Sequence, residues 1–512
     1  MTIKLSRRSV LGTGIASTAL FLPGFSRAQS RPVVSHGLQS GDVSHDGAVI
    51  WARADRPSRM QVEVSTVESF ANSRMLPDLA VAEGTDNMGK MLLTGLPSDQ
   101  EVFYRVSMVD LTDLNAVSEP VVGRFRTAPT ARRDVRFVWS GDTAGQGWGI
   151  DESRGGMGTY RTMLNRSPDF FIHSGDTIYA DGPLSETAEM PDGGTWTNLM
   201  TEEKSKVAET LHEYRHNWLY NMLDTNVRDF NAQVPMFSQW DDHETVNNWY
   251  PNEILEDDRY TEKNVALLSA RSIRAFMETN PIRQSPEEPG RVYRKISYGP
   301  HLDVFFIDMR TYRGDNSTND QTERGDATTF LGREQIDWLK AGLASSRATW
   351  KIIASDMPIG LLVRDGAEHF ENLANGDGPV RGREFDIAEI LSGIKHLGVK
   401  NVVWLTADVH YTAAHHYSPD RAQFQDFDPF WEFVSGPLHA GTFGPNDLDN
   451  TFGPKVEFVK APEDGQANLP PSAGLQFFGQ VDIEGETGVM TVSLVDRADT
   501  VLWSKELEPE AV

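Results

Sequence analysis

The stretch 170-FFIHSGDTIYADG-182 decides how this chain is read. Phe170 to His173 has the apolar character of a buried strand, and Ser174-Gly175 breaks it. Asp176 follows at once, Tyr179 three residues later and Asp181 just beyond. A strand that delivers a carboxylate and a phenol into one turn raises the question of what they meet there.

The same arrangement recurs along the chain. Strand-like runs end in Asp at 136-RFVWSGD-142, 236-MFSQWDD-242, 304-VFFID-308, 351-KIIASD-356 and 402-VVWLTAD-408. In open α/β sheets ligands bind beyond the carboxyl ends of the strands, so this repetition would converge carboxylates on one edge. A single Asp in such a place is more often a turn or helix cap. Six such segments, several beside His or Tyr, point instead to a site. Clustered carboxylates repel one another and take up protons unless cations neutralise them. Oxygen-rich ligand sets suit hard or borderline ions such as Ca, Mg, Mn and Fe(III).

Local spacing adds detail. The i, i+2 separation of Asp408 and His410 predicts both on one side of an extended segment. Neighbouring Asp242 and His243 point different ways, one toward metal and the other toward substrate. The turn from Asp176 brings the Tyr179 phenol back toward the ion that Asp176 holds. His173, His301 and His439 show no partner pattern and read as structural residues.

Around these strands the chain divides in texture. Residues 1–28 hold Arg7-Arg8, a Gly/Ser/Thr-diluted apolar run and a small-residue site ending at Ala28, which reads as a Tat-type export signal. Residues 31–128 alternate apolar and polar positions in short strands (48–54, 60–65 and 101–109), the pattern of a small all-β domain. Val102, Tyr104, Val106 and Met108 share one face of the third. A Pro-containing linker, 126-RTAPTARR-133, follows, and from 134 to 512 short apolar strands alternate with helical periodicity, the α/β signature. One helix is expected within 201–222, from Val207, Leu211, Tyr214, Trp218 and Met222, and another over 332–346.

Composition narrows the function. A formal net charge of −26 over 512 residues opposes binding to a nucleic-acid backbone. The absence of cysteine excludes disulfides, thiolate ligands and cysteine nucleophiles. After the leader, no run approaches the roughly 20 apolar residues of a membrane span.

The order GD, GDxxY, a DHE variant of GNHE and a DxH variant of GHxH resembles that of the calcineurin-like metallophosphoesterases. The closer resemblance is to the PhoD-like alkaline phosphatase and phosphodiesterase family, with purple-acid-phosphatase-like motifs. It rests on 213-EYRHNW-218, 239-QWDDHETVNNW-249, 308-DMRTYR-313, 331-LGREQIDWL-339 and 406-TADVHYTAAHH-416. The resemblance implies an αββα catalytic sandwich behind a fibronectin/Ig-like β domain. It also implies hydrolysis of small phosphate esters by hydroxide on a binuclear or larger centre containing Fe(III) and Ca, in a periplasmic or secreted protein exported by the Tat machinery. Carried over, Asp176 bridges the metals, and Tyr179 and His410 serve the iron. Asp242 takes the place of the metal-binding Asn, and Asp408 replaces a His and favours Ca at the second site. Asp356 and Asn248 are further metal contacts. His243 meets the phosphate as acid catalyst, and Arg310 grips it. The family pattern often has a Cys after the first core strand. Here 139-WSGD-142 has none, which leaves Asp142 in that role and keeps Zn, Mn or Mg open at the first site. A phospholipase D-like phosphodiesterase is the rival enzyme, and a non-catalytic extracellular metal-binding protein the rival of another class.

Overall fold

The computed structural model describes residues 31–511. The expected export signal at 1–28 lies outside the described residues. Two large sheets face each other. One has nine strands, in the order Val501–Leu507, Met490–Asp496, Phe477–Ile483, Val135–Ser140, Phe170–Ser174, Met236–Gln239, Val34–Gly41, Ala48–Ala54 and Met88–Leu93. The other has seven, in the order Arg294–Ser297, Leu302–Phe306, Trp350–Ala354, Val402–Thr406, Phe430–Val434, Thr412–Tyr417 and Pro454–Lys460.

The centre of each sheet is parallel. In the first, Phe170–Ser174 pairs in parallel with Val135–Ser140 and with Met236–Gln239. In the second, Trp350–Ala354 pairs in parallel with Leu302–Phe306 and with Val402–Thr406. Parallel central strands are covered on both faces, which is why they read as unbroken apolar runs. Phe137, Trp139, Phe170, Ile172 and Phe237 of one sheet meet Val304, Phe306, Ile352, Val403 and Leu405 of the other in the main core. The opposite faces carry helices. Tyr160 and Met163 of helix Gly158–Asn165 pack near Val138 and Phe171. Ile336, Leu339 and Leu343 of helix Arg333–Ser345 pack near Phe305, Ile353 and Trp404. The layers therefore run helix, sheet, sheet, helix, as the α/β reading expects.

The N-terminal β region contributes a five-stranded sheet, centred on Ser58–Ser65 and Glu101–Asp110. Val102, Tyr104, Val106 and Met108 are fully buried on one face of the latter, as their spacing implies. The other half of this sandwich is formed by Val34–Gly41, Ala48–Ala54 and Met88–Leu93, the three strands that end the nine-stranded catalytic sheet. They join it through Gly41 opposite Met236, and buried Asp42 pairs with Arg294 at 2.9 Å. A border drawn between 128 and 134 divides the chain but not the sheet.

The helix expected within 201–222 runs only from Leu211 to Asn221. Thr210 and Glu213 form a capping box that sets its start, because each side chain satisfies the other's free backbone N–H. Val207 is buried ahead of the helix, after a short 3-10 turn at Glu203–Ser205.

Candidate metal centre

The turns that follow the parallel strands meet at one edge. Five of the expected site residues hold left-handed backbone angles there: Asp142 (φ 66°), Asp176 (50°), Asn248 (59°), Asp408 (67°) and His410 (62°). That conformation is uncommon outside Gly, and its recurrence at one edge marks a constrained site. Gly175, at φ 99°, lets the Asp176 turn approach the 240–244 turn, where an added Cβ would lie 2.5 Å from the Asp241 Cβ. Glu244 locks the two turns together. Its carboxylate accepts from the backbone N–H of Thr177 (2.6 Å), Asp241 (2.8 Å) and Asp176 (3.2 Å). Glu244 is fully buried, and that burial raises it to about 8.

Asp142, Asp176, Tyr179 and His410 gather on one side. The Tyr179 hydroxyl lies 2.9 Å from His410 Nε2 and 3.3 Å from Asp142 Oδ1, and His410 Nε2 is 3.3 Å from the same Asp142 oxygen. His410 Nδ1 bonds the Gly441 carbonyl, which directs the Nε2 lone pair at the cluster. On the other side Asp176, Asp242 and His243 bring one ligand atom each within 4.8 Å of the others, so Asp176 belongs to both sets. His243 is held through Nδ1 by Asp181 Oδ1 at 2.7 Å. Burial opposes its protonation, but the charges of Asp181, Asp242 and Asp241 outweigh burial and lift it to about 10.

The donor chemistry fits cations. Asp142 Oδ2, Asp242 Oδ1 and both oxygens of Asp356 are buried without a hydrogen-bond partner. Burial first, and then neighbouring carboxylates, hold Asp142, Asp176 and Asp408 well above the usual carboxylate range. Orphaned acceptors in a mutually repelling cluster are what a bound metal ion would satisfy.

A cleft of about 470 Å³ opens over this cluster, lined by Asp176, Asp242, His243, Asn248, Asp408 and His410 among others. Arg310 is not at its wall, contrary to the expected grip on phosphate. It is fully buried behind the site, where its guanidinium meets Asp241 and Glu371 and lies 3.6 Å from Asp356. Enclosed by carboxylates, it neutralises their charge and has no path to a substrate. Asp356 is also fully buried and shares that inner layer. The extended geometry expected for 408–410 is replaced by a bend, with Asp408 and His410 both at positive φ. Both still reach the cleft, because the left-handed turns re-aim them.

Other residues divide as their donors dictate. His173 sits between the Thr143 and Thr177 hydroxyls, His301 between Thr349 and the Gly485 carbonyl, and His439 on the Gly149 carbonyl. All three are structural. Sequence reasoning gave no role to Asp181, Glu244, Glu371 or Asp365. Asp181 and Glu244 lie inside the quoted motifs, five and two residues after Asp176 and Asp242. Glu371 and Asp365 come from the short hairpin of Arg364–Asp365 and His369–Phe370, with no apolar strand to announce them. Asp365 accepts from the side chains of Asn248 (3.1 Å) and Asn316 (2.8 Å).

Comparison with known proteins agrees with this geometry. The family model of the PhoD-like phosphatase matches residues 137–494, and that of its N-terminal domain matches residues 17–129. Alkaline phosphatase D of Bacillus subtilis (strain 168) is 28% identical over 444 residues, covering 81% of this chain and 71% of its own length. The solved structure of PhoD superposes with a TM-score of 0.69 at 20% identity, over 94% of each chain. A purple acid phosphatase from yellow lupin seeds shares the fold at a TM-score of 0.56 and 12% identity, over 94% of this chain and 74% of its own. With these matches spanning both the β region and the carboxylate-lined cleft, the chain belongs to the PhoD-like phosphatase family and is a metal-dependent phosphoester hydrolase.

Proposed function

We propose that the enzyme hydrolyses small phosphate esters outside the cytoplasm, using Fe(III) held by Asp142, Asp176, Tyr179 and His410 beside Ca at Asp176, Asp242, Asn248 and Asp408. The observation that carries this reading is the sharing of Asp176 between two potential ligand sets. The phenol among the first set favours Fe(III); with His243 assigned to the phosphate, the Asp and Asn oxygens left on the second side favour Ca. Metals so bound supply the positive charge that draws in a phosphoryl group and acidify water to a usable nucleophile.

The chain's own residues do the rest. Asp181 fixes the His243 ring through Nδ1 and so turns Nε2 to the cleft. From there His243 contacts the phosphate and passes a proton to the departing oxygen. Arg310 balances the charge of the inner carboxylates Asp241, Glu371 and Asp356 and takes no acid–base role. Asp365 and Asn316 hold the Asn248 loop at the cleft edge.

Visible absorption tests the metal assignment, because phenolate-to-Fe(III) charge transfer is coloured and zinc, calcium and magnesium centres are not. Concentrated enzyme with its native metals should be coloured, and Tyr179→Phe should bleach it without unfolding it. A colourless, fully active enzyme lacking iron removes Fe(III) from the proposal. Export is tested separately. Replacing Arg7 and Arg8 by Lys should leave precursor in the cytoplasm, and normal export of that variant ends the Tat reading.

A further inference from the structure

Helix Leu211–Asn221 carries a second grouping of metal-ligand side chains, away from the cleft. In 212-HEYRH-216 two imidazoles stand at i and i+4, one turn apart on one helix face. Their ring centroids are 4.0 Å apart. Glu203, in the 3-10 turn before the helix, aims one oxygen at both. Its Oε1 lies 3.2 Å from His212 Nε2 and 3.4 Å from His216 Nδ1. Ligand atoms that share a tetrahedral Zn²⁺ at about 2.0–2.1 Å stand about 3.3 Å from one another, which is the spacing of Glu203 Oε1 from each imidazole, and all three ligand atoms lie within 4.8 Å of one another.

Two further contacts separate this grouping from a chance meeting of surface side chains. His216 Nε2 lies 3.4 Å from Asp86 Oδ2, and Asp86 is anchored by Arg53 at 3.0 Å. A histidine that binds metal through one nitrogen commonly turns its other N–H to a carboxylate in this way. Among the described residues, the ion pairs of Glu203 are with these two imidazoles alone. Its charge therefore has no Lys or Arg partner.

The helix motif has the spacing of a zinc peptidase, but its glutamate is committed elsewhere. Glu213 accepts from the backbone N–H of Glu209 and Thr210, both at 2.8 Å, and from Lys206 at 2.6 Å. No general base is left, so the grouping suits ion binding and not peptide hydrolysis.

We propose that Glu203, His212 and His216 form a divalent transition-metal site of the zinc class, separate from the catalytic cleft, with Asp86 positioning His216. Three protein ligands leave a fourth position for water, consistent with a His212 side chain that is 61% exposed. The ligands lie in the catalytic half of the chain and Asp86 in the N-terminal β region, so an ion that fixes the His216 ring would also steady its contact with Asp86 across the two.

The test uses full-length enzyme carrying its native catalytic metals, dialysed against Zn²⁺. Wild-type protein should retain one Zn²⁺ more than His212→Ala, and added Zn²⁺ should raise Tm in the wild type alone. Phosphoesterase activity should match in the two proteins, because His212 does not line the cleft. Glu203→Gln should lose the same equivalent. Asp86→Asn should keep the stoichiometry and weaken binding by about 10- to 100-fold. Equal Zn²⁺ uptake by wild type, His212→Ala and Glu203→Gln overturns the proposal.

Discussion

Asp176 and Asp308 both follow an apolar parallel strand of a central sheet, yet they end in opposite situations. Asp308 is met by donors on every side. Its carboxylate accepts from the backbone N–H of Arg310 and Thr311 at 3.0 Å each, from the Thr311 hydroxyl at 2.6 Å and from Trp240 Nε1 at 3.2 Å. Asp176 receives one backbone N–H, from His243 at 3.2 Å, and faces Asp142, Asp241, Asp242 and Glu244. One aspartate closes a turn and the other is placed to hold a cation. What separates them is the count of N–H and O–H groups the fold brings to each, which the strand-then-Asp pattern does not record.

Substitution at the two positions should separate them most widely. Asp176→Ala should lose bound metal and essentially all phosphoesterase activity, while His243→Ala should keep most of the metal and slow turnover by roughly 10². Metal analysis beside steady-state kinetics reads both. If His243→Ala strips the metal, the imidazole is a ligand and its assignment to phosphate falls.

Metal removal gives a smaller effect with a definite sign. In metal-free protein Asp142, Asp176 and Asp408 are all raised above the ordinary value of 3.8. The folded state then holds more protons than the unfolded state above that value. Their contribution to stability is greatest in acid and falls as pH climbs through the raised values. Tm of chelated enzyme should therefore decline from about pH 4 upward, and restored metal should remove the decline. A chelated enzyme whose Tm rises with pH over that range contradicts the clustering.

The smallest effect belongs to Asp308. Asp308→Ala leaves buried donors unsatisfied and should cost about 1–3 kcal/mol in urea unfolding, with metal content unchanged. Metal loss in that variant would erase the distinction drawn between the two aspartates.

Much of the site was legible because its strands are fully buried and short. An apolar run of five residues that stops at Gly-Asp can only present that Asp at a sheet edge, and WDDHE and ADVHY name their own chemistry. The fold class followed from the same runs. Three kinds of residue stayed hidden. Arg310 sits in a motif but faces inward, since four carboxylates attract it more strongly than the open cleft. Glu371 and Asp365 arrive on a hairpin with no periodicity to mark it. Helix Leu211–Asn221 is shorter than its apolar spacing suggests because Thr210 and Glu213 cap it late. Burial is decided by tertiary partners and leaves no trace in local pattern, whereas the Thr210–Glu213 capping box is a local signal that the apolar spacing alone does not use.

The strand that carries Asp142 lies between Phe170–Ser174 and Phe477–Ile483, and Val135 is paired with Ile483. The strand leading to Asp142 therefore lacks its neighbour on one side until residues near 480 have been made and paired beside residues near 138. Contacts of such long sequence separation form slowly. A nascent chain therefore carries Asp142, Asp176, Asp242 and Asp408 before the strand that completes their sheet beside Val135–Ser140 has been made.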